Sequence, residues 1–366
     1  MGEFRDSLKK LIAWLKEERI DLAYVADPTS IAYLTGYASW TEERVMALLV
    51  SREESALLFA PAINEGELRS FAWPGAVAFY QDGESPWKKI KEAIAAWPAQ
   101  TWALEGGNLS LAWYRALQAE FPGSEMEADI TDFLKKARLR KSPEEVAKLQ
   151  AAGAQADLAI EIGIAALRSG VSEGELAAEI QYQLRAEPSF PTIVQIGENA
   201  ANVSALPGEG RLAPGDMVIF DLGTMKNGYA SDVSRTVGYG EVSAEQRQIY
   251  ETVRQAQQAA ADGARPGMTA GEVDELARRV IREAGYGQYF SHRLGHGIGM
   301  QVHEAPGIQP GSDTVLEAGM CFSIEPGIYV PGVAGVRIED CGVLTEKGLE
   351  PFTHFSKELQ ILPIKK

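Results

Sequence analysis

The segment MVIFDLGTMKNGYASDVSRT holds two aspartates whose spacing has chemical meaning. Asn227-Gly228 is a strong hairpin signal, because both central residues of that turn need positive φ. A turn centred there sets Asp221 opposite Ser234 and Asp232 opposite Gly223. Strand side chains repeat every two residues, so Asp221 and Asp232 share one face as diagonal neighbours. Asp221 closes the apolar run Val218, Ile219, Phe220, where an unpaired carboxylate is costly. A second segment, FSHRLGHGIGMQVHEAP at 290–306, holds His292, His296 and His303, in a chain with 4 histidines. Gly295, Gly297 and Gly299 surround His296 and let a ligand or a second chain segment approach the backbone. A third, CFSIEPGIYVPGVAGVRIEDCGVL, reads as two strands around a Pro/Gly turn. Each strand carries a glutamate among apolar neighbours, Glu325 and Glu339, and such acids are rarely left unpaired in a core.

Together these residues give Asp221, Asp232, His296, Glu325 and Glu339. Four carboxylates converging in one pocket repel one another and raise each other's pKa. Two divalent cations balance that charge, and carboxylates bridge paired metals readily. Oxygen donors with one imidazole suit manganese, cobalt, iron(II) or zinc better than copper(I). Cys321 and Cys341 share strand parity with Glu325 and Glu339, which brings either within reach of the metals. The simpler reading of both is a small buried hydrophobe.

The elements that must position these residues lie in the second half of the chain. Residues 1–132 alternate helical and strand patterns and read as an α/β domain. Its helix carries Leu8, Leu11, Ile12 and Leu15 at helical spacing. Strand-like runs follow at 45–51, 55–61, 76–80 and 101–106, and helical stretches at 86–96 and 109–120. This half has no histidine and no glycine-rich phosphate loop, so the chemistry is expected elsewhere. A linker is expected over 133–141 and a second domain over 142–366. Ser142 followed by Pro143, Glu144 and Glu145 is a helix start. Ser172 to Glu175 is a capping-box pattern. Helices are expected at 143–168, 172–186, 244–263 and 270–285, with strands between and after them.

Composition bounds the rest. The chain has 366 residues, 51 acids against 35 bases, and a formal net charge of −16. Hydrophobic residues make up 45% and charged residues 23%, ordinary values for a folded protein of more than one core. The acidic excess opposes binding to nucleic acid and to anionic membranes. Two cysteines form no disulfide framework, and the N-terminus mixes charges into its apolar positions, unlike a signal peptide. No long apolar run predicts a membrane span. The expected location is the cytoplasm.

Five segments in this order, DLGTMKNGYASDVSRT, GHGIG, HEAP, IEPGIY and GVRIED, resemble the signature of the metal-dependent pita-bread peptidases. That family includes methionine aminopeptidase, aminopeptidase P, prolidase and creatinase. The resemblance covers about 142–363, and the first half resembles the N-terminal domain of the creatinase, prolidase and aminopeptidase P branch. Methionine aminopeptidases lack that domain, and creatinase lacks the metal ligands. The resemblance implies an α/β N-terminal domain and an α+β pita-bread catalytic domain. It also implies two divalent metal ions, manganese first with zinc or cobalt as alternatives. Asp221 would chelate one ion, Asp232 and Glu339 would bridge both, and His296 and Glu325 would complete the other shell. The implied reaction is hydrolysis of the bond between an N-terminal residue and proline, in Xaa-Pro dipeptides or in longer peptides as by aminopeptidase P. A non-catalytic binding protein on the same fold is the rival reading. In similar enzymes Glu325 shuttles the proton, His303 hydrogen-bonds the substrate, and His292 is a supporting or substrate-facing histidine. Arg337 is placed to orient a ligand carboxylate or the substrate C-terminus. A homodimer is implied as well. One departure stands out: where family members carry a histidine before the first aspartate, this chain has Ser204 or Gly208. The specificity pocket is therefore expected to be built differently.

Overall fold

The computed structural model describes residues 5–39, 41–203 and 205–365. Ser204, one of the two positions aligned with the family histidine, lies outside the described residues. The chain divides into two compact units, Met1–Ala137 and Arg138–Lys366.

In the first unit, a six-stranded sheet runs in the order Ala76–Tyr80, Ala56–Pro61, Ala47–Ser51, Leu22–Val25, Thr101–Leu104, Glu125–Asp129. Leu22–Val25 is buried at every position because apolar clusters cover both faces of the sheet. The helix Asp6–Glu17 packs Leu8, Leu11, Ile12 and Leu15 into one of those clusters. Helices Pro28–Thr35 and Glu65–Ser70 were not expected, nor were the last two elements of this unit. Glu125–Asp129 is an edge strand whose alternation rests on two apolar residues, Met126 and Ala128, set among three acids, which is too short a signal to stand out. The helix Thr131–Leu139 occupies most of the stretch expected as a linker, and it buries Leu134 among the first unit's apolar residues.

The second unit begins with helices Pro143–Ala166 and Glu173–Leu184, each opened by a complete capping box, at Ser142 and Ser172. Helices Ala244–Gly263 and Ala270–Glu283 open the same way at Ser243 and Thr269. One sheet orders Ile361–Leu362, Val233–Tyr239, Met217–Leu222, Ile193–Ile196. A second orders Glu304–Ile308, Gly295–Gly297, Cys321–Ile324, Asp340–Thr345, Gly348–Pro351. A ribbon pairs Gly327–Val330 with Ala334–Arg337. Among the described residues, no helix is long and apolar enough to cross a membrane.

Candidate metal centre

The hairpin register is the expected one. Ser234 pairs with Asp221, and Asn227 and Gly228 both take positive φ, 53° and 76°. Pairing breaks between Leu222 and Met225, which leaves Asp232 outside the ladder with its side chain free to turn inward. Ser231 Oγ accepts from Thr224 N at 2.9 Å and Ser189 Oγ donates to Ser231 O at 2.8 Å, so polar contacts brace the break.

Glu325 and Glu339 leave the ends of two paired strands. Ile324 pairs with Asp340, and the chain on either side carries the two glutamates inward. Glu339 N donates to Ser234 O at 3.0 Å, and Ser234 Oγ donates to Glu339 Oε2 at 2.8 Å. This ties the second acid pair to the hairpin of the first. His296 sits at a β-bulge between Glu304–Ile308 and Cys321–Ile324. A Cβ on Gly297 would lie 2.1 Å from Ala305 O, so only glycine lets the two backbones close there.

Ser323 Oγ accepts from His296 N at 3.0 Å and donates to Glu325 Oε1 at 3.2 Å, which fixes the imidazole against the carboxylate. The ring's Nδ1 lies 3.1 Å from Gly297 O, so the proton belongs on Nδ1. The Nε2 lone pair then points at Asp232 Oδ2, 3.4 Å away, and Glu325 Oε1, 3.3 Å away. A lone pair facing two carboxylates is repulsive unless a cation lies between them. Asp232 Oδ1 is buried without a hydrogen-bond partner. Burial pushes the carboxyls of Asp232, Glu339 and Glu325 up, and the neighbouring acids add to the rise. The ligand atoms form three overlapping sets within 4.8 Å: Asp221, Asp232, Glu339; His296, Glu325, Glu339; and Asp232, His296, His303. Shared members in a buried, carboxylate-rich set fit a pair of divalent cations.

All five expected ligands and His303 line one cavity of about 620 Å³, whose apolar wall includes Phe190, Ile193, Met225 and Met300. His303 is exposed to it, with its ring edge-on to His296 at 4.1 Å between centroids. Lost solvation pushes the His303 imidazole down to about 4, and the positive charge of Arg293 adds to the fall.

His292 and Arg337 lie behind the cavity wall, both hydrogen-bonded to Tyr329. His292 Nδ1 lies 2.7 Å from Arg293 O, and its Nε2 lies 3.0 Å from the Tyr329 hydroxyl. Burial pushes this imidazole down to about 4, so it is neutral and accepts at Nε2. Tyr329 in turn accepts from Arg337 Nη1 at 2.9 Å. Arg337 Nη2 donates to Asp221 Oδ2 at 2.6 Å, and its Nε donates to Ser234 Oγ at 3.0 Å. Arg337 thus braces the Asp221 carboxylate, with three of its five N–H groups engaged in these contacts.

Cys321 and Cys341 are buried beside Leu149, Ile298 and Phe352. Cys321 Sγ donates weakly to Gly319 O at 3.8 Å, and Cys341 Sγ to Glu339 Oε1 at 4.0 Å. Gly208, the other position aligned with the family histidine, donates its N–H to the buried Glu173 at 2.8 Å and presents no side chain. The sequence reading also missed Arg235. It lies 1% exposed behind Glu339, donating to Ser234 O, Glu339 O, Phe355 O and Asp340 Oδ1.

Residues 147–346 match metallopeptidase family M24, and residues 7–140 match the creatinase/prolidase N-terminal domain. The chain is 53% identical over 366 residues to an Xaa-Pro dipeptidase of Lactobacillus delbrueckii subsp. lactis, covering 98% of this chain and 100% of that one. It is 50% identical, with the same coverage, to an Xaa-Pro dipeptidase of Lactobacillus helveticus. The solved structure of an Xaa-Pro dipeptidase from Bacillus anthracis is similar at a TM-score of 0.89 and 32% identity, covering 98% of this chain and 99% of that one.

Proposed function

The chain belongs to metallopeptidase family M24, with a creatinase/prolidase N-terminal domain and a pita-bread catalytic domain, and from that premise we propose that it hydrolyses Xaa-Pro dipeptides. The observation that carries the reading is His296 Nε2 within 3.4 Å of the Asp232 and Glu325 carboxylates, beside the unpartnered Asp232 Oδ1. Asp221, Asp232, His296, Glu325 and Glu339 would hold two divalent ions. When bound, the ions activate the attacking water and polarise the scissile carbonyl. Manganese suits the hard oxygen donors, with zinc and cobalt as alternatives.

Glu325 takes the proton released from water at its carboxylate and passes it to the proline nitrogen as that bond breaks. Burial, which favours its protonated form, supports that role. The neutral His303 imidazole at the cavity mouth donates a hydrogen bond to the substrate and favours the charge that builds on its carbonyl oxygen. Arg337 keeps the Asp221 carboxylate aimed inward, and Tyr329 and His292 fix the guanidinium from behind. The apolar wall of Phe190, Ile193, Met225 and Met300 excludes water and receives the apolar parts of the dipeptide.

The active form is a homodimer in the cytoplasm. Both cysteines are unpaired, which is consistent with a reducing compartment, and light scattering tests the dimer. The reaction is tested by incubating the manganese-loaded protein with Ala-Pro, Ala-Pro-Ala and Ala-Ala-Ala and following the released amino acids. Cleavage of Ala-Pro alone is expected. Cleavage of Ala-Pro-Ala would assign the aminopeptidase P activity instead. Cleavage of none with manganese, zinc or cobalt would favour the non-catalytic reading and refute the proposal.

A further inference from the structure

Met300, Gln301, Val302 and His303 are consecutive, yet all four line the catalytic cavity. Neither a helix nor a strand presents four successive side chains to one space, so this wall is a loop held by something other than a ladder. Its start is tied to the ligand hairpin, because Ala230 N donates to Gly299 O at 2.8 Å. Its end is closed by Glu304, whose Oε1 accepts from Gln301 N at 3.1 Å. The Glu304 carboxylate is folded against the glycine at the start of the loop. A Cβ on Gly299 would lie 2.6 Å from its Oε2.

That carboxylate is 3% exposed, and Lys141 faces it with a side chain 2% exposed, Nζ to Oε2 at 3.3 Å. Arg138 adds a second cation, Nε to Oε1 at 3.9 Å. The backbone of Lys141 is itself fixed: its N–H donates to Gly319 O at 2.9 Å, and Arg140 bridges to Met320. A buried ion pair is on average no more stabilising than the apolar pair that would replace it. Its geometric effect here is specific, because it pins the carboxylate around which the loop folds. Neither residue has a part in the hydrolytic steps above.

We infer that Lys141 is a positioning residue for the hydrolytic site: through Glu304 it holds the 299–304 loop so that His303 stands against His296 and meets the substrate. The inference rests on the Xaa-Pro dipeptidase reading. It adds that a cation next to the start of the catalytic unit's first helix governs the substrate-facing histidine.

The test compares Lys141→Met, which keeps the stem and removes the charge, with Lys141→Arg and Glu304→Gln, each in the native and the His303→Ala backgrounds. With Ala-Pro, Lys141→Met and Glu304→Gln are expected to lower kcat/KM about ten- to hundred-fold, as displaced supporting groups do. Lys141→Arg should restore activity to within about three-fold of native, and in the His303→Ala background the Lys141→Met loss should shrink to under about two-fold. Manganese titration should give unchanged stoichiometry. The His303 imidazole resonance should move in Lys141→Met and return in Lys141→Arg, while that of His354 stays put. Equal losses in both backgrounds, or an unmoved His303 resonance, would overturn the inference and leave the dipeptidase reading intact. Absence of Ala-Pro hydrolysis by the native protein would instead sink that reading. If Lys141→Met fails to fold, Glu304→Gln decides: a folded Glu304→Gln protein with native kcat/KM overturns the inference.

Discussion

Replacing Asp340 by asparagine should destabilise the catalytic unit strongly, although Asp340 binds neither metal nor substrate. The residue is 2% exposed. Oδ1 accepts from Arg235 Nη2 and Thr353 Oγ1, both at 2.7 Å, and Oδ2 accepts from Lys357 Nζ at 2.9 Å. Burial opposes ionisation, but the charges of Arg235 and Lys357 outweigh it and hold the carboxyl below the usual carboxylate range. Asparagine keeps the shape, removes the charge and sets an amide donor among donors. Arg235 would then be a buried guanidinium without its counter-ion, a fault that costs about 3–5 kcal/mol. For a unit of this size that lowers Tm by about 10 °C. Arg235 also donates to Glu339 O and Ser234 O, so manganese affinity should fall about ten-fold or more. Thermal and urea unfolding measure the first effect and manganese titration the second. A double variant, Arg235→Met with Asp340→Leu, removes both charges and should be less destabilised than Asp340→Asn. A loss below about 1 kcal/mol in Asp340→Asn would refute the assignment of this pair as a buried support of Glu339. A double variant as damaged as the summed single changes would refute it too.

Gly297→Ala should cost about 3 kcal/mol or more and impair metal binding, because its Cβ would meet Ala305 O at 2.1 Å beside His296; chemical unfolding and metal titration read both. His292 is held neutral down to about 4, whereas an unfolded histidine takes up its proton near 6.5. The unfolded state therefore binds more protons across that window, and stability should fall as pH drops through it. His292→Gln should flatten that slope in urea unfolding between pH 6.5 and 4; an unchanged slope would count against a neutral, buried imidazole. Cys321 and Cys341 are buried, and burial pushes the Cys321 thiol up to about 12, so neither should react with a thiol reagent until the chain unfolds. Fast labelling of the native protein would contradict their place in the core.

Local signals carried much of this from sequence to structure. Asn227-Gly228 determines the register that brings Asp221 and Asp232 to one face, because a two-residue loop leaves no freedom in pairing. Ser142 and Ser172 mark their helices because a capping box is a contact three residues long. Long-range partners were not legible. Arg235 and Asp340 meet 105 residues apart, and Lys141 and Glu304 163 apart, with no local pattern linking them. His292 and Arg337 were legible in type, but their partners were not: Tyr329 lies 37 residues from His292, and Asp221 lies 116 from Arg337.

The central claim is a dinuclear centre built by five side chains, and anomalous diffraction from manganese-soaked crystals tests it most directly. Two peaks are expected, both in contact with Asp232 and Glu339, one also with Asp221 and the other with His296 and Glu325. A single peak that Asp232 does not touch, or ions bound only outside this cavity, would contradict the account.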